Sequence, residues 1–463
     1  MATESTIAAV ASAPVEPVGH AGGGAKAPLS AWYGLFVLVM TTLFAFVDRQ
    51  ILNLVGPSLQ TSLELTDFQI GMLQGLGLAI FASVASYPMG WLADRYGRRL
   101  LLAIGVACWS LATGISALQD SFGGLFLGTV GIAIGEAGVA PIIYAMIPDM
   151  FPERQRSTAN FIFYGASLLG SGAGMAIGGA MLQWLSGPGP EVLSWFGDLD
   201  TWRIAMLLVA VPGPLFCLLV LTMPLGERGD RRPLQKGAGD GPALVGFVAY
   251  ARSQWRTMAC FFAVVLVMNI PLSSSLTWFP LALPRAFGAD PTTIGVALGT
   301  AITIAALVGV ILPGIVLKLW RRPVAEKPLR IVAMFTALAA VPTIFLPFAT
   351  TPFQAYAVAT TQGALGIAAC ALMPGLLQDL APPHLRARVL AALTIATPLA
   401  LAASPIAIGM VSSMIAGPRD ILQAMTIVNL PSLIAAAVLI SFARKPYAST
   451  VRAIRLHFSE EHT

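Results

Sequence analysis

Of 463 residues, 56% are hydrophobic and only 11% charged, against about 25% charge in a soluble domain; this excludes an ordinary water-soluble globule and points to a chain solvated by lipid. The net charge of +5 does not argue for nucleic acid, because in a membrane chain the placement of basic residues matters more than their sum. Four cysteines scattered through apolar runs and four histidines outside them exclude a disulfide framework and an intramembrane histidine site, so neither a metal nor a cofactor is expected.

Residues 1–29 are rich in Ala, Gly and Pro, with no charged region leading into an apolar one, and read as a disordered cytoplasmic tail rather than a cleaved leader. A spanning helix needs ~20 mostly apolar residues. The first such run, 31–56, carries Asp48, Arg49 and Asn53. The second, 69–92, repeats small residues every fourth position (Gly71, Gly75, Ala79, Ser83), a face on which helices slide or rest in static contact. It leads into Gly90-Trp-Leu-Ala-Asp94-Arg95-Tyr-Gly97-Arg98-Arg99. Gly90 permits close helix approach, and Asp94 stands where it can accept the orphan amides of a facing helix N-terminus. Runs 100–119 and 125–147 follow, the latter with Glu136 and Tyr144. The connection after it contains Asp149, Pro152 and Arg156, spaced Asp-x-x-Pro-x-x-x-Arg. This spacing predicts a helix end, a proline break and a new helix start, with the acid and the arginine pairing at the surface. Runs 158–185 (Gly170, Gly174 and Gly178 on one face) and 202–223 complete six spans.

A connection of about 224–254, rich in Gly, Pro and basic residues, has the composition of a linker. Six further runs follow at 255–281, 291–317, 329–348, 352–378, 388–415 and 420–442. The seventh carries Asn269, Ser273, Ser274, Ser275, Thr277 and Trp278, the eighth repeats small residues at Gly295, Gly299 and Thr303, and the tenth carries Gln362. Asp379, Pro382 and Arg386 repeat the Asp-x-x-Pro-x-x-x-Arg spacing at the matching place in the second half, 230 residues after the first copy. The loop matching Gly90–Arg99, from Gly314 to Arg330, keeps its basic residues but has Lys318 where the acid would fall, so gating by these two loops is expected to be asymmetric.

Charge sets the topology. Of the 27 lysines and arginines, 23 fall on one side of the predicted spans and only Arg203, Arg285 and Arg419 on the other, with Arg49 inside. The basic side is cytoplasmic by the positive-inside rule, which places both termini there. The expected fold is an all-α membrane protein of twelve transmembrane helices in two pseudo-equivalent six-helix bundles. Its parts are a tail 1–29, an N-terminal bundle 30–225, a cytoplasmic linker 226–254, a C-terminal bundle 255–443 and a cytoplasmic tail 444–463. A repeat of this kind places a binding site between the halves near mid-membrane.

Three ionisable side chains sit deep in spans: Asp48, Arg49 and Glu136. A charge at the bilayer centre costs at least ~2.5–3.5 kcal/mol, so a functional role is the default reading. Asp48 lies ~12 Å and Glu136 ~17 Å from the outer ends of their spans, within about one helical turn of each other in depth. Arg49 can pair with Glu136 and leave Asp48 free to exchange a proton, since a carboxyl in low dielectric can carry one. A static bridge between the first and fourth helices is the competing role.

The Gly90–Arg99 loop resembles the signature of the major facilitator superfamily at every specified position. That resemblance implies that Gly90, Asp94, Arg95, Gly97, Arg98 and Arg99, with Asp149, Arg156, Asp379 and Arg386, form the gating machinery. Asp94 would then meet the N-terminus of the eleventh span and lock an outward-facing state. Phe46-Val-Asp48-Arg49-Gln50, Gly135-Glu136-Ala137 and the run from Leu65 to Gly71 resemble the Spinster-like lipid transporters and related bacterial members, mainly over residues 40–160. Thr129 stands where that branch often has an arginine. The resemblance implies proton-linked movement of an amphipathic molecule, with Asp48 and Glu136 titrating.

The expected function is secondary active transport by alternating access, with Asn53, Tyr144, Asn269, Ser273, Thr277, Trp278 and Gln362 lining the substrate cavity. One alternative is a proton-linked organic-anion importer in which Arg49 clamps a carboxylate; a channel or receptor is another. No HExxH, nucleophile elbow or P-loop occurs, so an enzyme is not expected. The expected partners are a small-molecule substrate, protons and membrane lipid, with no nucleic acid, for a monomer in a bacterial-type inner membrane.

Overall fold

The computed structural model describes residues 27–187, 197, 199–223, 252, 254–320, 327–380 and 401–460, and for Asp94, Glu153, Pro291, Thr292, Gln378, Lys445 and 452–460 the backbone only. The tail before Ala27, nearly all of the central linker, Arg386 and the first half of the eleventh predicted span lie outside the described residues.

Among the described residues, eleven helices are long and apolar enough to cross a membrane: α1 (Leu29–Leu54), α2 (Asp67–Ala93), α3 (Arg98–Ser116), α4 (Phe122–Met150), α5 (Arg154–Ser186), α6 (Thr201–Thr222), α7 (Trp255–Phe287), α8 (Thr293–Leu319), α9 (Lys327–Phe348), α10 (Pro352–Leu377) and α12 (Asp420–Arg444). The apolar helix α11 (Leu401–Ser412) occupies the remaining place. The protein is thus an all-helical, multi-pass membrane protein of twelve helices, with no strand among the described residues.

Several boundaries differ from the sequence reading for local reasons. α7 runs on through Pro280, Pro284 and Arg285 and stops at Gly288, whose φ of 62° is the left-handed helix cap that glycine adopts freely. The last helix does not end at its apolar span but continues to Glu460, so the predicted C-terminal tail is largely helical. Within α2, Leu73–Ile80 is wound as a π-helix, a rare form found mostly at functional sites.

α4 is interrupted. Its first segment ends at Glu136 and a second begins at Val139. Pro141 has no N–H to give to the Ala137 carbonyl four residues back. Ser86 Oγ on α2 donates to that carbonyl instead, at 2.9 Å. The break therefore sits in mid-span with its backbone satisfied from a neighbouring helix, as a membrane interior requires.

Helices α1–α6 form one lobe and α7–α12 the other. They meet along α5–α8 and α2–α11, where the small-residue faces let backbones approach closely. A Cβ on Gly179 of α5 would stand 2.6 Å from Gly295 Cα of α8, and Gly172 packs on Gly299 and Thr303. The other glycine face of α5, at Gly170, Gly174 and Gly178, packs on Phe46 and Leu54 of α1.

Among the described residues, the hydrogen bonds and glycine contacts that join the lobes all lie toward one end, marked by Asp67. Arg285 of α7 donates to both Asp67 oxygens at 2.9 Å and to Asp420 at 2.6 Å, Gln60 accepts from it at 3.0 Å, and Ser412 Oγ of α11 donates to Asp67 at 2.7 Å. The apolar core divides in the same sense. One buried cluster runs through the N-terminal lobe and into the C-terminal lobe at Trp278, Leu298, Leu346, Ile408 and Leu422. A separate cluster, with Phe261, Val332, Met373 and Ile440, fills the other end of the C-terminal lobe, where the arginine-rich connections lie. Among the described residues, the lobes are therefore joined at the Asp67 end and packed separately at the basic end.

Candidate functional site: a buried charge cluster on three helices

Asp48 and Arg49 are carried by α1, Thr113 by α3 and Glu136 by the broken end of α4. Glu136 is only 3% exposed at its side chain and forms an ion pair with Arg49, whose Nε donates to Glu136 Oε2 at 3.1 Å. The Arg49 side chain is 45% exposed although it lies in mid-span. Its other surface is therefore open to a ligand. Glu136 Oε1 is buried with no hydrogen-bond partner among the described residues.

Asp48 points the other way, as adjacent helix positions about 100° apart require. It is 2% exposed, and its Oδ2 lies 2.9 Å from Thr113 Oγ1. The same hydroxyl lies 3.0 Å from the Trp109 carbonyl oxygen of its own helix. One hydroxyl proton faces two acceptors, unless Asp48 itself carries a proton and donates it to Thr113. Asp48 Oδ1, Trp109 Nε1 and Ser110 Oγ are all buried without partners among the described residues. The surroundings are tight: a Cβ on Gly135 would stand 2.7 Å from the Trp109 nitrogen, so only glycine lets α4 bring Glu136 this close to α3.

The predicted cavity residues divide. Asn53 donates to Gln50 at 2.8 Å, and Gln50 in turn reaches Ser171 of α5 at 3.5 Å, which extends the polar cluster by about one turn of α1. Tyr144 is exposed and stacks edge-on against Phe163. Asn269 and Ser273 spend their donors on carbonyls of their own helix, at 2.8 and 3.2 Å. Thr277 and Gln362 are buried, and Gln362 Nε2 lacks a partner among the described residues. Trp278, expected to line the cavity, is instead enclosed in the core that joins the lobes and offers no surface in this state.

The predicted gating residues also divide. Gly97 has φ 100°, a conformation that explains a glycine at the turn between α2 and α3. Gly90 is expected at a close helix approach, yet among the described residues a Cβ there would meet nothing within 4 Å. Arg95 stacks over Trp91 and Tyr96. Asp149 does not pair with Arg156: Arg98 takes it at 2.6 Å, and Arg156 donates to the Phe151 carbonyl at 3.0 Å. The Arg98–Asp149 pair lies within the first lobe and ties the α2–α3 loop to the end of α4. Arg99 donates to the Met223 carbonyl at 2.9 Å. Asp379 accepts from Tyr447 at 3.2 Å, while the side chain of Asp94 and all of Arg386 lie outside the described residues.

Sequence reasoning missed Thr113, whose type is common in apolar helices, and the Asp67–Arg285–Asp420 group, whose members sit at span ends where a charge is unremarkable. The Pro141 and Ser86 pair that breaks α4 did leave a signal, a proline in mid-run preceded by Gly135 and Gly138.

Residues 38–405 match the family described as Major Facilitator Superfamily. The chain is 30% identical over 243 residues to the sphingosine-1-phosphate transporter SPNS2 of Xenopus tropicalis, covering 51% of this chain and 44% of that one. It is 26% identical over 255 residues to the hexuronate transporter of Bacillus subtilis, covering 53% and 55%. These matches span well under two thirds of the relatives' own length. The fold is similar to that of a bacterial homologue of the human lysosomal transporter Spinster in an inward-facing, unoccupied conformation, with TM-score 0.74 and 21% identity over 94% of this chain and 98% of that one.

Proposed function

Since the chain belongs to the major facilitator superfamily, we propose that it is a proton-coupled secondary transporter that moves an amphipathic small molecule with an anionic group by alternating access. The observation that carries this reading is the cluster of Asp48, Arg49 and Glu136, two buried acids flanking one half-exposed guanidinium. A single Thr113 proton between two acceptors favours a protonated Asp48. In this reading Arg49 turns its exposed side to the substrate path between the lobes, with one side bound to Glu136 and the other left for the substrate's anion. Protonation of Glu136 weakens the ion pair and hands the guanidinium to the substrate; deprotonation takes it back. Buried charge in a spanning helix is costly enough to demand such a use.

The amphipathic reading draws on the likeness to a sphingosine-1-phosphate transporter; the likeness to a hexuronate transporter, together with the exposure of Arg49, supports a second reading in which the cargo is a small carboxylate. With the basic end cytoplasmic by the positive-inside rule, the Asp67 end faces outward, and the contacts that join the lobes there support a state closed on the outside. Both termini and the 226–254 linker are then cytoplasmic, the bundles are 30–225 and 255–443, and the protein works as a monomer in a bacterial-type inner membrane.

The test is proteoliposomes holding a pH dye. Lysophosphatidic acid and glucuronate are added in turn as probes. The wild type is expected to acidify or alkalinise the lumen with one probe only, and Asp48→Asn and Glu136→Gln to abolish that signal. Unchanged proton movement in both variants would refute the coupling role, and proton movement with neither probe would refute an anionic cargo of these two kinds.

A further inference from the structure

A groove of about 420 Å³ lies on the C-terminal lobe at the basic end, between α9 and α12 and beside Trp320 past the end of α8. Its two walls have the same plan. On α9, Arg330, Ala333 and Ala337 fall on one stripe of the helix; on α12, Ala437 and Arg444 are seven residues apart, two turns on one face. Each wall thus carries an arginine at the end of the apolar span and alanine ~10 Å deeper. Small residues at those depths keep the groove open, since a larger side chain on either helix would fill it. Arg444 Nε is buried in this region with no hydrogen-bond partner among the described residues. Trp320 stands at the same level, where amphipathic rings sit at the headgroups.

We propose that this groove holds an anionic phospholipid of the surrounding bilayer, phosphatidylglycerol-like, with its phosphate between Arg330 and Arg444 and an acyl chain along the alanine floor. Charge complementarity selects the headgroup, and basic pockets between helices at the cytoplasmic surface take anionic lipids for this reason. The apolar floor selects a lipid over a soluble anion. Ala333 belongs to the apolar cluster that, among the described residues, is separate from the core joining the lobes. A lipid wedged there braces a part of the lobe whose buried cluster, among the described residues, does not reach the partner lobe. The site is remote from Asp48, Arg49 and Glu136 and does not depend on the identity of the cargo.

Native mass spectrometry of the purified full chain, released from neutral detergent with phosphatidylglycerol or phosphatidylcholine, tests it. The wild type is expected to retain phosphatidylglycerol in preference. Arg330→Gln and Arg444→Gln should each weaken that preference about fivefold and together about thirtyfold, as ~1 kcal/mol per basic residue at an anionic surface implies. Should the arginine variants fail to fold, Ala337→Leu keeps both charges and fills the floor; it should lose bound phosphatidylglycerol while melting like the wild type in lipid-free detergent. Equal retention of both lipids, an unchanged preference in the arginine pair variant, or full retention in Ala337→Leu would overturn the proposal. So would stabilisation by inorganic phosphate equal to that by the lipid.

Discussion

At the scale of single residues, the site turns on which proton goes where. An amide at position 48 can donate to Thr113 Oγ1 in the way a protonated Asp48 does. Asp48→Asn is therefore expected to melt near the wild type while uptake driven by an imposed pH gradient falls ~10-fold or more, ~1.4 kcal/mol in barrier terms. Glu136 behaves differently, because its partner is a cation. Arg49→Ala leaves a carboxylate buried and uncompensated, which costs ~3–5 kcal/mol. The expected outcome is a markedly lower melting temperature, restored largely by adding Glu136→Gln in the same chain. The three charged members of this cluster are legible in the sequence, since a charge inside an apolar run stands out whatever the fold. Thr113 is not, because nothing in a run such as Cys108-Trp-Ser-Leu-Ala-Thr113 tells which of its polar residues meets a carboxylate from another helix.

At the scale of elements, the broken α4 is the clearest device. Ser86 on α2 replaces the backbone donor that Pro141 lacks. Ser86→Ala alone leaves the Ala137 carbonyl without its side-chain donor and should cost ~1–3 kcal/mol. Pro141→Ala returns an N–H to that carbonyl, so the two substitutions together should cost less than their sum, a non-additivity that thermal melting of the four chains would display. Helix number and approximate position follow from apolar runs, because lipid forces the whole backbone to satisfy itself. The interruption of α4 and the π-wound stretch of α2 do not, because both depend on partners from other helices. The expected Asp149–Arg156 pair fails for a related reason: spacing within one loop cannot weigh Arg98, which reaches the same carboxylate from 51 residues away.

At the scale of the molecule, the Asp67–Arg285–Asp420 group is the polar clasp between lobes. Its members are up to 353 positions apart in the chain and lie at ordinary span ends, so no local pattern announces them. Arg285→Gln should favour separation at the Asp67 end by ~1–2 kcal/mol, five- to thirtyfold in the balance between the two openings. Cysteine placed at Ser412 in a chain lacking the four native cysteines reads this out, with faster labelling by a membrane-impermeant maleimide from the outer side expected in Arg285→Gln. Unchanged labelling would mean that the glycine contacts of α2 and α5 hold this end by themselves. The division of the apolar core has a consequence of its own. A unit whose buried cluster is separate from that of its neighbours, as this one is among the described residues, opens at its own free energy. Amide hydrogens around Phe261, Val332 and Ile440 should therefore exchange with deuterium as one group and sooner than those around Trp278 and Ile408. Under mechanical extraction from a bilayer, the same stretch should give way as a distinct step in the force trace.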